Sequence, residues 1–123
     1  MKKIFIALPL LFLVLILAFS APQKSMVGKW VIHYGQGQNI NLDFRKDGTV
    51  SVAIPAEQFT VTGKYKLKDD ILYLSDSTCG SNYWGKYKES FITDDSVYST
   101  MVEDSCMPRK SAVDKATFIR VKM

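Results

Sequence analysis

The sequence predicts an all-β protein, an eight-stranded antiparallel up-and-down barrel preceded by a signal peptide. Three observations lead to this prediction. Apolar and polar residues alternate along most of the chain, which is typical of strands that bury one face. Turn-forming residues separate the alternating segments. Three strands begin or continue with a glycine, a lysine and an aromatic residue, in Gly28-Lys29-Trp30, Gly63-Lys64-Tyr65 and Gly85-Lys86-Tyr87.

The first twenty residues have the pattern of a secretory signal. Lys2 and Lys3 precede the uncharged residues 4–19, and small residues follow. A basic start, a short apolar stretch and small residues at the cleavage site predict export, with cleavage after Ser20. The alternative is a retained membrane anchor, but Pro9 interrupts a run that is shorter than the roughly 20 residues a spanning helix needs.

Residues 21–123 form the predicted mature domain, and about a hundred residues suffice for one core. Without the two lysines of the signal, the formal net charge falls from +4 to +2. Such a weak charge does not favour nucleic-acid binding, and the alternating Lys64, Lys66 and Lys68 are interpreted as a solvated strand face. We expect an exported monomer, periplasmic or extracellular, with no stable membrane insertion after cleavage.

The chain has two cysteines, Cys79 and Cys106, both within loop-like sequence. In an exported protein an even cysteine count predicts pairing, so we expect one disulfide. A redox or metal site is disfavoured because there is no Cys-x-x-Cys motif and only one histidine. We therefore predict no metal and no cofactor.

The first three strands have clear apolar faces. Asp47-Gly48 predicts the hairpin between the second and third, since this pair favours the positive φ of a tight turn. Pro55 ends the third strand because it lacks an amide hydrogen. The three faces are Trp30, Ile32 and Tyr34, then Ile40, Leu42 and Phe44, then Val50, Val52 and Ile54.

The fourth strand is the most regular. Gly63 falls on its apolar side, where it indicates a bend or a close approach of another backbone. The opposite side carries threonines and lysines. The apolar side is Phe59, Val61, Gly63, Tyr65 and Leu67.

Four more strands follow at residues 71–74, 85–92, 97–102 and 117–122. Segment 103–115 is too long for a hairpin, and we expect a short helical turn near residues 111–114 that acts as a lid or plug. Eight meandering strands bury their apolar faces most simply by closing into a barrel, which also removes exposed edges. A β-sandwich is the alternative.

A family resemblance supports the barrel. Gly28-x-Trp30 at the start of the first strand, eight meandering strands and a basic residue in the last strand resemble the calycin group, which includes the lipocalins. The resemblance implies that Trp30 closes one barrel end and that an arginine packs across it. Arg120 is the matching residue, with Arg109 as a competitor. The segment at 44–49, Cys79 and Asp104-Ser-Cys106-x-x-Arg109 also resemble small exported bacterial lipocalin-like domains.

The predicted function is non-catalytic binding of a small apolar ligand inside the barrel, because an eight-stranded barrel is just wide enough to hold one. The tyrosine hydroxyls could meet a polar end of the ligand. The interior candidates are Tyr34, Phe44, Phe59, Tyr65 and Tyr87.

No catalytic constellation is evident. Asp69-Asp70 and Asp94-Asp95 occupy predicted turns, and His33 has the parity of the outer face. The alternative function is a protein-binding module acting through its loops, as an inhibitor or in a surface interaction, with an exposed Tyr83-Trp84 pair as the candidate interface. A structural domain without a pocket is a third interpretation.

Overall fold

The computed structural model describes residues 24–35 and 37–122. Eight antiparallel strands form a closed barrel in sequence order, which confirms the predicted up-and-down barrel. The predicted signal peptide, residues 1–20, lies outside the described residues. The strands are β1 (Gly28–Tyr34), β2 (Gln38–Phe44), β3 (Thr49–Ile54), β4 (Phe59–Lys68), β5 (Ile71–Ser75), β6 (Gly85–Thr93), β7 (Ser96–Glu103) and β8 (Ala116–Arg120).

Two short helices interrupt the meander. A 3-10 helix, η1 (Pro55–Glu57), follows β3, and an α-helix, α1 (Met107–Val113), joins β7 to β8. The predicted helical turn at 111–114 was too short and too late in the chain. The helix begins four residues before the predicted start. Pro108 is compatible with this start because it lies in the first turn, where its fixed φ suits a helix and its amide hydrogen would have no partner.

Pairing of the first and last strands closes the barrel. Trp30 lies opposite Arg120, and Ile32 lies opposite Phe118 in this antiparallel pair. Every strand thus has two neighbours, so no edge is left for another chain to extend. The closure excludes the sandwich.

The two ends of the barrel differ. One end, here called the turn end, carries residues 24–27 and the tight turns at 45–48, 69–70 and 94–95. Asp69 and Asp70 both have positive φ, 53° and 64°, as tight hairpin turns require. The other end, called the helix end, carries η1, the loop 76–84 and α1.

Trp30 fills the turn end. Its side chain is 1% exposed, and its indole Nε1 donates a hydrogen bond to the Met26 carbonyl at 2.9 Å. The guanidinium of Arg120 lies 4.2 Å from the Trp30 ring centre and donates to the Val27 carbonyl at 2.8 Å. Arg120, not Arg109, is therefore the arginine that packs on this tryptophan. A Cβ at Gly28 would lie 2.7 Å from Nη1 of Arg120, so glycine makes room for the contact.

The predicted disulfide is confirmed. Cys79 and Cys106 are bonded, with their Cα atoms 5.7 Å apart. The bond joins the loop 76–84 to the residue that precedes α1. It therefore fixes the start of the helix to the neighbouring loop of the helix end.

Removing the disulfide should lower stability without abolishing the barrel. The bond closes a loop with a sequence separation of 27. On the chain-entropy model, we expect C79A/C106A to lose about 3 to 4 kcal/mol of unfolding free energy. Urea unfolding of the variant, and of the wild-type protein with and without reductant, measures this loss. The estimate fails if reduced wild-type protein is as stable as oxidised protein.

Gly63 should tolerate no side chain. A Cβ there would collide with the carbonyl oxygen of Ser75 on β5. We expect Gly63→Ala to cost about 1 to 3 kcal/mol, because β4 and β5 must separate locally. Thr60→Ala, at an exposed position on the same strand, is the control and should cost less than about 1 kcal/mol. Equal unfolding midpoints for the two variants in urea would contradict this account.

Candidate functional site

A cavity of about 450 Å³ lies inside the barrel at the helix end. Its wall includes inward side chains of β1 to β5, residues of α1, Glu57 of η1, and Asp76 and Thr78 of the loop 76–84. The strands contribute mainly aliphatic residues because their alternation turns the apolar side inward. Its aliphatic lining includes Ile32, Ile40, Leu42, Val50, Val52 and Val61.

Helix α1 lines one side of the cavity and is held at both ends. The disulfide of Cys106 anchors its start. At its other end, the Asp114 carboxylate accepts a hydrogen bond from the Met101 amide at 2.9 Å. Ala112 and Val113 contribute to the cavity lining. The helix is thus a fixed part of the wall.

Arg109 is the buried charge beside this cavity. It is 7% exposed. Its Nε donates to Asp104 at 2.7 Å, its Nη2 donates to the other Asp104 oxygen at 3.0 Å, and its Nη1 donates to Asp76 at 3.2 Å. Two carboxylates therefore compensate one guanidinium, which offsets the cost of burying it.

Asp104 also accepts a hydrogen bond from the hydroxyl of Tyr87. Burial by itself raises the pKa of Asp104, but hydrogen bonds from Arg109 and Tyr87 outweigh it and hold this pKa below its ordinary value. Burial raises the pKa of Tyr87, and the neighbouring carboxylate raises it further. Tyr87 is therefore a neutral donor and Asp104 an anion.

Gly85 explains how these groups fit together. It lies at the start of β6 and is buried. A Cβ at this position would collide with the Asp104 carboxylate and lie 3.1 Å from Nε of Arg109. The absent side chain lets the ion pair pack directly against the strand backbone.

Glu89 is a second buried acid, on the inward side of β6 and 1% exposed. Its Oε1 accepts a hydrogen bond from the hydroxyl of Ser99 at 3.0 Å, while its Oε2 has no partner among the described residues. Burial raises its pKa from 4.5 to about 8. The side chain is therefore mostly protonated at neutral pH.

The predicted interior residues separate into two groups. Tyr34 and Phe59 line the cavity near its rim, where they are 42% and 40% exposed. Phe44, Tyr65 and Tyr87 do not line it. Phe44 and Tyr65 pack edge to face, and the Tyr65 hydroxyl donates to the Arg45 carbonyl at 2.7 Å. The hydroxyls of Tyr65 and Tyr87 are thus already bonded within the protein.

Tyr83 and Trp84 are half-buried, so the predicted pair is only partly exposed. The Tyr83 hydroxyl accepts a hydrogen bond from the Ser105 amide at 2.8 Å, and the Arg109 guanidinium lies 5.8 Å from the ring centre. The ring of Trp84 faces the ammonium of Lys66 at 5.0 Å. Both rings already have neighbours within the fold.

From the sequence alone, the two buried ionisable groups, Glu89 and Arg109, were not assigned to a site. Glu89 shares the inward parity of Gly85 and Tyr87, and this parity was the signal that could have identified it. Arg109 was named as a competitor of Arg120 and as part of the Asp104-Ser-Cys106-x-x-Arg109 pattern, without a buried ion pair being predicted for it. Its pairing with Asp76 spans 33 positions, which no local pattern indicates.

Within residues 24–35 and 37–122, no group of three or more His, Cys, Asp or Glu side chains is arranged to hold a metal ion. None of the helices in this part of the chain is long and apolar enough to cross a membrane.

Comparison of the sequence with models of known protein families gave no match, and comparison with curated proteins gave none either.

The Glu89 proton should make stability depend on pH. The folded pKa of about 8 exceeds the ordinary 4.5, so the native state keeps a proton that the unfolded chain releases. This contribution is fully present below pH 4.5, is lost between pH 4.5 and 8, and is constant above that range. The total loss is on the order of 5 kcal/mol.

Glu89→Gln tests the assignment because it keeps the shape and an acceptor for Ser99 while removing the titration. Urea unfolding across this pH range should show a smaller decline with pH in the variant than in the wild-type protein. An identical decline in both proteins would mean that Glu89 does not titrate as stated.

Proposed function

We propose that this protein is an exported, lipocalin-like binding protein that takes a small apolar ligand into the barrel cavity and catalyses no reaction. The observation that carries the proposal is the cavity of about 450 Å³ with its aliphatic wall, which opens at the helix end of the barrel. This volume falls within the roughly 300 to 1,000 Å³ of typical ligand pockets. Removing such a surface from water would favour binding of an apolar molecule.

The polar groups of the cavity suggest how a ligand would be oriented. Arg109 and Asp76 line the cavity, but they are bonded to each other. Tyr34, Glu57 and Ser111 are exposed residues of the same lining. A ligand would therefore place its apolar body among the strand residues and a polar end near these exposed groups.

The lipocalin-like assignment is supported by the closed eight-stranded barrel and by the packing of Arg120 on Trp30. Export is supported by the disulfide, since such bonds persist mainly in oxidising compartments. The non-catalytic part of the proposal is supported by Arg109 and Asp76, the charged pair of the cavity wall, which are bonded within the fold. We propose a periplasmic or extracellular monomer.

Protein binding through Tyr83 and Trp84 is less well supported. Both side chains are half-buried, and each already packs against a basic residue of the same chain. An interface anchor would need to leave these contacts.

A larger side chain inside the cavity should block binding. Val61 lines the cavity from β4, so we expect Val61→Trp to weaken binding of the neutral apolar fluorophore N-phenyl-1-naphthylamine roughly tenfold or more. Thr62→Trp is the matched control, because Thr62 is the exposed neighbour on the opposite face of the strand. Fluorescence titration measures both affinities.

Native mass spectrometry of the protein exported from a bacterial host gives a second test. A ligand acquired during expression should appear as a discrete added mass that disappears on denaturation. The proposal is overturned if no adduct is found and the wild-type protein also fails to bind the fluorophore.

A further inference from the structure

Five lysines lie together on the outer wall of the barrel. β5 runs between β4 and β6, and its outward residues Tyr73 and Ile71 are each flanked by lysines from both neighbours. Tyr73 pairs with Lys66 and Lys86, and Ile71 pairs with Lys68 and Lys88. We call this surface the lysine face, and its charged members are Lys64, Lys66, Lys68, Lys86 and Lys88.

The lysines of the lysine face form no direct ion pairs. Among the described residues, none of its five ammonium groups lies within ion-pair distance of a carboxylate. Glu103 is opposite Lys86 in the strand register, yet the two form no ion pair. Lys29 is the remaining lysine in the eight strands. Positive charge is therefore concentrated on one side of a barrel whose other strands carry few basic residues.

Two aromatic rings belong to the same surface. The ammonium of Lys66 lies 5.0 Å from the ring centre of Tyr73 and 5.0 Å from that of Trp84. Both rings are half-buried. Tyrosine and tryptophan favour the headgroup level of a bilayer, since one part of each ring system is apolar and another is polar.

We propose that the lysine face docks the protein on the surface of an anionic lipid bilayer. The long lysine side chains can reach headgroup phosphates, while the half-buried Ile71, Tyr73 and Trp84 lie beneath them and keep their contacts within the fold. Each lysine near an anionic surface strengthens binding roughly fivefold. Five lysines without an ion-pair partner among the described residues together support reversible adsorption. This inference goes beyond ligand binding and does not depend on the cavity.

The shape of the lysine face favours a bilayer over a linear polyanion. The outer wall of a closed barrel is convex, whereas proteins that bind single-stranded nucleic acid follow it along a charged groove with free rings for stacking. Here the Lys66 ammonium lies over both rings. A membrane surface requires neither a groove nor a stacking platform.

Vesicle sedimentation tests the proposal with the exported wild-type protein. We expect binding to vesicles of phosphatidylcholine mixed with phosphatidylglycerol, weak binding to phosphatidylcholine alone, and release as salt increases. Lys66→Gln, Lys86→Gln and Lys88→Gln combined should weaken binding roughly hundredfold. Replacing the same three lysines with arginine should preserve it.

The matched control combines Lys29→Gln, Lys110→Gln and Lys115→Gln, which removes the same charge outside the lysine face. It should retain most of the vesicle binding, and thermal unfolding checks that all variants are folded. Three results would overturn the proposal: no wild-type binding to the anionic vesicles, equal losses in both glutamine triples, or binding to heparin or DNA without binding to vesicles.

Discussion

The buried guanidinium of Arg109 determines how the helix end is assembled. It connects α1 to Asp76, directly after β5, and to Asp104, directly after β7. A charge in this position is costly unless it is paired, so both carboxylates must be in place when the helix packs. The same contact fixes one wall of the cavity and provides the acceptor for Tyr87. The ion pairs therefore hold α1 at Arg109, and the neighbouring disulfide holds it at Cys106, the residue before its start.

In each of the three copies of the glycine, lysine and aromatic motif, the glycine leaves room for another group of the protein. Gly28 leaves room for Arg120, Gly63 for the Ser75 carbonyl, and Gly85 for the carboxylate of Asp104. In the first and third copies, the glycine lies beside a buried or stacked arginine, one at each end of the barrel. The motif thus marks places where another group approaches the strand backbone, and its lysines lie on the outside.

Period-two alternation was enough to predict the strands, their order and the barrel, because each strand must bury its apolar side. Pairing of two cysteines was equally predictable. The ionic contacts of the helix end were not, since Asp76 and Arg109 are distant in sequence. The partial burial of Tyr83 and Trp84 was not predictable from local sequence, because the residues that contact them come from other elements. The lysine face emerges only when the register places β4 and β6 on opposite sides of β5.

Burial of Glu89 inside the barrel requires that its carboxyl group be protonated. Its carboxyl group is enclosed with one oxygen unpartnered among the described residues, and the folded chain holds it in the acid form. At neutral pH the unfolded chain carries the same group as an anion. Closing the barrel therefore consumes a hydrogen ion from the surrounding solution. The hydrogen ion is in this sense a reactant in the folding of this protein.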